Sequence, residues 1–201
     1  MREEIWPEDL QRPSTTICSE AYSLCSRSAP LFLLNHSLRV FVWGCILGRR
    51  EELPFDREVL YVASLMHDIG LTPAFDGPRC FEVESATAGE LLARKHGWDV
   101  DRCRVVAEAI RLHTSPFVDP ESGAEAHLLE AATSLDVGGA RLEEVAEEEV
   151  ALILEAAPRE GFKSGFLGLV RAQAHAKPGC WADTALRSGL GDRILAAPFE
   201  S

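Results

Sequence analysis

Two adjacent residues of metal-ligand type, His67 and Asp68, follow a strongly apolar segment, residues 62–66. A buried imidazole and carboxylate at this position need a compensating partner, because an unpaired buried charge is costly. Neighbouring helical positions diverge by about 100°, yet two side chains on the last turn can converge on one ion beyond the helix end. The pair therefore indicates a metal site whose remaining ligands come from other segments.

His36 and Asp136 are the best candidates for those remaining ligands, because each is a lone polar residue of ligand type in an apolar setting. Two neutral imidazoles and two carboxylates balance the charge of a divalent ion. Imidazole is a ligand that hard cations seldom use, so the set suits zinc, iron or manganese better than magnesium or calcium. The alternative for each lone histidine is a structural role in which protein groups satisfy its hydrogen bonds.

The charge composition of the chain bears on which class of partner or substrate the protein binds. The 201 residues include 20 Lys and Arg against 32 Asp and Glu, a formal net charge of −12. This charge argues against nucleic acid or an anionic membrane surface as the main partner and favours a small-molecule substrate. A homodimer stays open, because no interface can be read from one sequence.

The cysteines and the hydropathy pattern bear on location. The six cysteines form no C-x-x-C pair, which is typical of reduced thiols in a cytoplasm. The beginning of the chain is charged, and the longest apolar run, residues 40–47, is much shorter than the roughly 20 residues that span a bilayer. We therefore expect a soluble, cytoplasmic protein with no membrane segment.

Apolar residues recur at helical spacing along nearly the whole chain, and strand-like alternation is never sustained. The pattern predicts an all-α fold: an N-terminal arm and helix, residues 1–30, packed on a single helical bundle, residues 31–201. The predicted helices cover about residues 14–28, 32–50, 57–68, 82–97, 100–113, 124–135, 142–157 and 161–176, followed by a short tail. Asp56 is the expected N-cap of the third helix, and Asp99 or Asp101 that of the fifth.

The ordered series His36, His67-Asp68, Asp136 on an all-helical chain resembles the HD superfamily of metal-dependent hydrolases. More narrowly, the chain is similar to the cyanamide hydratase family over about residues 31–182. The segments that carry this similarity are His36-Ser37-Leu38-Arg39-Val40, Leu65-Met66-His67-Asp68-Ile69-Gly70, Phe81-Glu82, Glu108-Ala109-Ile110-Arg111-Leu112-His113, Ala132-Thr133-Ser134-Leu135-Asp136 and Gly161-Phe162-Lys163. The resemblance implies an HD domain in which the four residues bind one divalent metal, zinc first, with iron or manganese as alternatives.

Four further residues are candidates for roles around that metal. His113 ends a helix and matches a family histidine, so it is the candidate catalytic residue for proton transfer or substrate orientation. Glu82, Arg39 and Lys163 are candidates for contacts to the substrate or to the metal ligands. The alternatives are a core or capping role for His113, a helix-dipole role for Glu82 and a solvated Lys163.

A second metal is disfavoured. Dinuclear HD proteins use two further histidines between the His-Asp pair and the last Asp, an interval that contains His113 and His127. Nine residues at 100° each amount to about 900°, which places His127 and Asp136 on opposite faces of one helix. We therefore expect His127 to lie at the surface.

Three functions stay open at this point. The first is hydration or hydrolysis of a small nitrogen-containing molecule such as a cyanamide-like nitrile. The second is hydrolysis of nucleotides or other phosphate esters, for which Arg39, Arg79, Arg111 and Lys163 are the candidate cations. The third is a non-catalytic HD domain that binds a ligand. The segments after Phe81-Glu82 and after His113 depart from the nitrile-hydrating members, so the substrate is open.

Overall fold

The computed structural model describes residues 10–199, and every regular element within this range is helical, which confirms the all-α prediction. The first nine residues of the predicted arm lie outside the described residues. The α-helices of the described part are α1 (Thr16–Ser28), α2 (Leu31–Arg50), α3 (Arg57–Met66), α4 (Phe81–Lys95), α5 (Val100–Leu112), α6 (Ala124–Gly138), α7 (Glu147–Ala156), α8 (Phe162–Ala176), α9 (Trp181–Arg187) and α10 (Leu190–Ala196).

Helix α2 forms the centre of the bundle. Residues 33–48 are all buried, because this helix is apolar on nearly every face and packs against α3, α6 and α8. By length and composition alone, α2 is also apolar enough to cross a membrane. However, 89% of the apolar 18-residue stretch that gives it this character is buried inside the protein. A helix covered in this way by its own fold has the character of a core helix.

The starts of α3 and α5 are fixed by aspartate caps. The side chain of Asp56 accepts hydrogen bonds from the backbone N–H groups of Glu58 and Val59, at 2.9 and 3.2 Å. Asp99, rather than Asp101, caps α5 by accepting from the N–H of Arg102 at 2.8 Å. These caps satisfy helix N–H groups that have no partner within the helix.

The end of α3 brings the His-Asp pair against the start of α4. A 3-10 turn, Ile69–Leu71, follows Asp68, and the N–H of Gly70 donates to the hydroxyl of Ser85 in α4 at 2.9 Å. A Cβ atom at position 70 would collide with the carbonyl oxygen of Phe81. Glycine is therefore required for this close approach of α4 to the turn.

Two segments differ from the sequence prediction. The predicted helix over residues 142–157 is interrupted: a 3-10 turn, Leu142–Glu144, precedes α7, which begins at Glu147 with three acidic residues in its first turn. Acidic side chains are favoured at this end because they face the positive end of the helix dipole. The C-terminal segment, predicted as a short tail, contains α9 and α10.

The described core has two parts. The main cluster is centred on α2, α3, α5 and α6 and includes Ile17 and Cys18 of α1, so that helix packs on the bundle. A smaller cluster joins α8, α9 and α10 to Leu33 of α2 and Phe81 of α4. The ring of His36 stacks on Phe162 of the smaller cluster, with centroids 4.7 Å apart. The candidate site lies where the two clusters meet.

Candidate metal centre

Three of the predicted ligands form a compact group of donor atoms. The Nε2 atoms of His36 and His67 are 3.1 Å apart, and Oδ2 of Asp68 lies 3.4 Å from the first and 3.3 Å from the second. A tetrahedron with metal–ligand bonds of about 2.0–2.1 Å has edges of about 3.3–3.4 Å. The group therefore has the size of one face of a zinc-type coordination shell, and it is the one such group found among residues 10–199.

The second ring nitrogen of each histidine fixes the direction of the first. The Nδ1–H of His67 donates to the carbonyl oxygen of Ser64 at 2.7 Å, and that of His36 donates to Oδ2 of Asp136 at 2.7 Å. With the proton held on Nδ1, each Nε2 presents a lone pair to the group. This is the tautomer that a histidine requires to bind a metal through Nε2.

The carboxylate of Asp68 is the strongest sign that a cation belongs here. It is 2% exposed, and neither of its oxygens has a hydrogen-bond partner. Three imidazole Nε2 atoms lie 3.3 to 3.5 Å from its oxygens, with that of His113 at 3.5 Å from Oδ1. Because a buried carboxylate without donors is costly, its two free oxygens fit a divalent cation.

The pKa values of the two carboxylates, Asp68 and Asp136, agree with a site that binds a cation. Burial alone would raise the pKa of Asp68, but the imidazoles of His67, His113 and His36 together outweigh burial and hold the pKa well below the usual range. Burial would likewise raise the pKa of Asp136, yet Arg39 and His36 hold it well below the usual range. Burial lowers the pKa of His67, whereas His36, despite its burial, has its pKa raised by Asp136 and Asp68. Both carboxylates therefore stay ionised.

Asp136 lies behind His36 rather than within the compact group. Its oxygens accept from Nδ1 of His36, from Nε and Nη2 of Arg39 at 2.7 and 2.9 Å, and from Nε1 of Trp43 at 2.9 Å. In this arrangement Asp136 orients a ligand histidine, as outer carboxylates often do in metal sites. Direct metal binding by Asp136 stays a prediction.

Arg39 holds Asp136 in its contact with His36. Its guanidinium is fully buried, forms a two-pronged pair with Asp136, and donates from Nη1 to the carbonyl oxygens of Ala157 and Pro158 at 2.9 and 3.2 Å. Arg39 therefore ties α2 to the end of α6 and to the segment after α7.

His113 faces the group from the end of α5. Its Nδ1–H donates to the carbonyl oxygen of Ile110, which leaves Nε2 directed towards Asp68. Glu82 lies in the first turn of α4, is 9% exposed, and has no hydrogen-bond partner for Oε2. Unlike His113, Glu82 does not line the cavity described below, so its contact with a substrate stays a prediction.

Two expectations about single residues are wrong. Lys163 does not face the site: its Nζ donates to the carbonyl oxygens of Leu195 and Ala197 at 3.2 and 2.7 Å, where a cation stabilises the C-terminal end of α10. His127 is buried rather than at the surface. Its Nδ1 contacts the carbonyl oxygen of Val118 at 2.7 Å and its Nε2 contacts Glu51 at 2.9 Å.

A cavity of about 800 Å³ opens onto Asp68, one of the predicted ligands. Asp68 and His113 line one part of it, together with the hydroxyl of Thr133, which is buried and has no hydrogen-bond partner. Residues of α9 and α10 also line the cavity, and Nε1 of Trp181 in α9 donates to the carbonyl oxygen of Thr114 at 3.0 Å. The segment predicted as a tail therefore forms one wall of the cavity.

Arg159 is a second buried arginine that the sequence interpretation did not single out. Its guanidinium lies over the rings of Phe162 and Phe199, at 4.7 and 4.6 Å from their centroids, and donates from Nη1 to the backbone oxygen of Asp136 at 3.1 Å. Burial lowers its pKa to about 10. No local pattern marks this residue, because two of its partners, Asp136 and Phe199, lie far from it along the chain.

A comparison with known protein families finds a match over the part of the chain that contains the candidate metal centre. The family model described as "HD domain" matches residues 33–157, which contain all four predicted ligands. The chain belongs to the HD-domain family.

Individual relatives narrow the group. Over 179 residues the chain is 32% identical to the cyanamide hydratases DDI2 and DDI3 of Saccharomyces cerevisiae, each alignment covering 85% of this chain and 75% of the relative. The chain is therefore a cyanamide hydratase-like HD protein, in the metal-dependent hydrolase and hydratase class.

Proposed function

We propose that this protein is a metal-dependent hydratase that adds water to the carbon of a cyanamide-type nitrile and releases a urea. The observation that carries the proposal is the buried carboxylate of Asp68, which has two unpartnered oxygens beside two imidazole nitrogens at one end of a cavity. The relatedness to two cyanamide hydratases supports the choice of substrate.

The ligand set suits zinc, with iron or manganese as alternatives, because it combines imidazole with carboxylate. A divalent ion held by His36, His67 and Asp68 would supply an activated water molecule and polarise the substrate. Asp136 would keep His36 in its ligand tautomer, and Arg39 would keep Asp136 in place.

Hydration forms one C–O bond and moves both water protons to the nitrile nitrogen, so a group that carries protons is needed near the reacting carbon. His113 suits this role, because its Nδ1–H is held by a backbone carbonyl and its Nε2 faces the cavity next to Asp68. The free hydroxyl of Thr133 is available to hydrogen-bond the substrate amine.

Phosphate ester hydrolysis is the second candidate, and the distribution of cations argues against it. Phosphate sites use arginine and lysine side chains directed at the phosphoryl oxygens. Arg39 is held by Asp136, Arg79 by Glu84 and Lys163 by the end of α10. Among the residues that line the cavity in the described part of the chain, Arg193 is the one arginine and none is lysine.

The test is a urea-release assay on purified protein loaded in turn with zinc, iron or manganese. Wild type, Asp68→Asn and the control His175→Gln, an exposed position on α8, are compared with cyanamide and with a panel of nucleotides and phosphate esters. We expect urea from wild type and the control, and a loss of at least about a hundredfold in Asp68→Asn. Phosphate release without urea would favour the second candidate, and metal binding without either product would favour a ligand-binding domain.

A further inference from the structure

The cavity is far larger than cyanamide. Its volume of about 800 Å³ falls in the range of about 300–1,000 Å³ that encloses drug-sized ligands. Cyanamide is only a few times the size of a water molecule, which occupies about 30 Å³ in the liquid. A cyanamide molecule beside Asp68 would leave most of the cavity to solvent.

The lining of the cavity is mostly apolar, with a polar end at the candidate metal centre and further polar side chains that include Thr184, Ser188 and Arg193. The polar end consists of Asp68, His113 and Thr133, next to the candidate ligands. From there an aromatic row leads outward: Phe81 lies edge-on to His113 at 5.8 Å and edge-on to Trp181 at 5.7 Å. The remaining apolar lining includes Val137, Phe166 and Leu190. Such a surface favours a ligand with one polar group and an apolar, ring-containing body.

We propose that the preferred substrate is an N-substituted cyanamide whose substituent is an aromatic ring or a group of similar size. This proposal rests on the proposed function and specifies its substrate class. The nitrile carbon would lie at the polar end, and the substituent would lie along Phe81 and Trp181. In the reaction, R–NH–C≡N and H₂O give R–NH–CO–NH₂: the two C–N π bonds and the two O–H bonds of water break, one C=O double bond and two N–H bonds form, and no oxidant is needed.

In this proposal, helices α9 and α10 determine which substituents fit into the cavity. Thr184 is exposed on α9 and lines the cavity, whereas Arg187, on the same helix, is exposed and does not line it. A tryptophan at position 184 would fill the part of the cavity in which we place the substituent, and it would not enter the core. The same substitution at position 187 adds the same ring to the same helix and serves as the matched control.

The experiment compares kcat/KM for cyanamide and phenylcyanamide in wild type, Thr184→Trp and Arg187→Trp, each loaded with metal. In wild type we expect kcat/KM for phenylcyanamide to exceed that for cyanamide by about tenfold or more, because the ring is buried against apolar walls. Thr184→Trp should lower the phenylcyanamide value by about tenfold and leave the cyanamide value within about twofold, because only the space for the ring is filled. Arg187→Trp should change neither.

A preference for cyanamide in wild type, or equal losses for both substrates in Thr184→Trp, would overturn the substrate class and leave the hydratase function standing. If neither nitrile is hydrated, the hydratase function fails, and calorimetric binding of phenylurea and urea decides the substrate class separately. Phenylurea binding at least about tenfold tighter than urea, weakened by Thr184→Trp but not by Arg187→Trp, would support the ring-binding wall. Equal or undetectable binding of the two ureas would overturn it.

Discussion

Replacement of Arg39 by methionine removes the guanidinium that holds both carboxylate oxygens of Asp136 and keeps much of the buried apolar stem. The two contacts, 2.7 Å from Nε and 2.9 Å from Nη2, join side chains that are both fully buried. Breaking a buried pair by removing one partner costs about 3–5 kcal/mol, because the other charge stays uncompensated. Asp136 keeps His36 and Trp43 as donors, but the carbonyl oxygens of residues 157 and 158 also lose a donor. We therefore expect the free energy of unfolding to fall by about 3–5 kcal/mol.

The assay is urea denaturation followed by circular dichroism on protein treated with a chelator, so that altered metal affinity does not contribute. The matched control is Arg49→Met in the same helix: Arg49 is 46% exposed and contacts Glu149 at 3.4 Å, so its loss should cost about 0.2–1 kcal/mol. If Arg39→Met is destabilised no more than the control, the account of Asp136 as a buried, arginine-held carboxylate is wrong.

The same variant gives a pH dependence with a defined sign. Arg39 and His36 outweigh burial and hold the pKa of Asp136 well below its usual value, so the ionised carboxylate contributes stability above the unfolded pKa of about 3.9. That contribution is lost as the pH falls through the lowered, folded-state pKa. Without Arg39 the folded-state pKa rises, so protonation relieves the variant at a higher pH than wild type. The stability gap between wild type and Arg39→Met should therefore narrow from pH 7 to below pH 4, and a constant gap would contradict the reasoning.

Two further predictions concern single residues. His113→Gln should keep its metal, measured by elemental analysis, and lower the hydration rate by about a hundredfold or more, because it removes a proton carrier near the reacting carbon; an unchanged rate would exclude this role. Gly70→Ala should lower the free energy of unfolding by about 1–3 kcal/mol, because its Cβ would strike the carbonyl oxygen of Phe81. Gly168→Ala in α8, where a Cβ meets nothing, should instead raise it by about 0.5–1 kcal/mol, and denaturation curves that show the same sign for both glycines would contradict the packing described.

The sequence predicted much of the helical framework because the signals are local. Periodic apolar residues and caps such as Asp56 and Asp99 mark where helices run and begin, and the predicted helices up to residue 176 are present except for the interruption after Leu142. Helices α9 and α10 were missed because each has only seven residues, too few for a periodic pattern to stand out.

The candidate site was predictable only in part. The grouping of His36 with His67 and Asp68 followed from residue type and family resemblance, and the structure brings these three together. His127 contacts Glu51, 76 positions away along the chain, and Arg159 contacts the backbone of Asp136 in α6 and the ring of Phe199 in the C-terminal segment. Such long-range pairs leave no local pattern, because tertiary contacts decide them.

The most direct test of the metal centre is the metal content of purified protein after loading and desalting. Wild type, Asp68→Ala and His175→Ala are measured with zinc, iron and manganese. The account predicts about one ion per chain in wild type and in His175→Ala, and almost none in Asp68→Ala, because a buried ligand between two imidazoles is lost. Wild-type metal content in Asp68→Ala, or a wild type that holds none of the three metals, would contradict it.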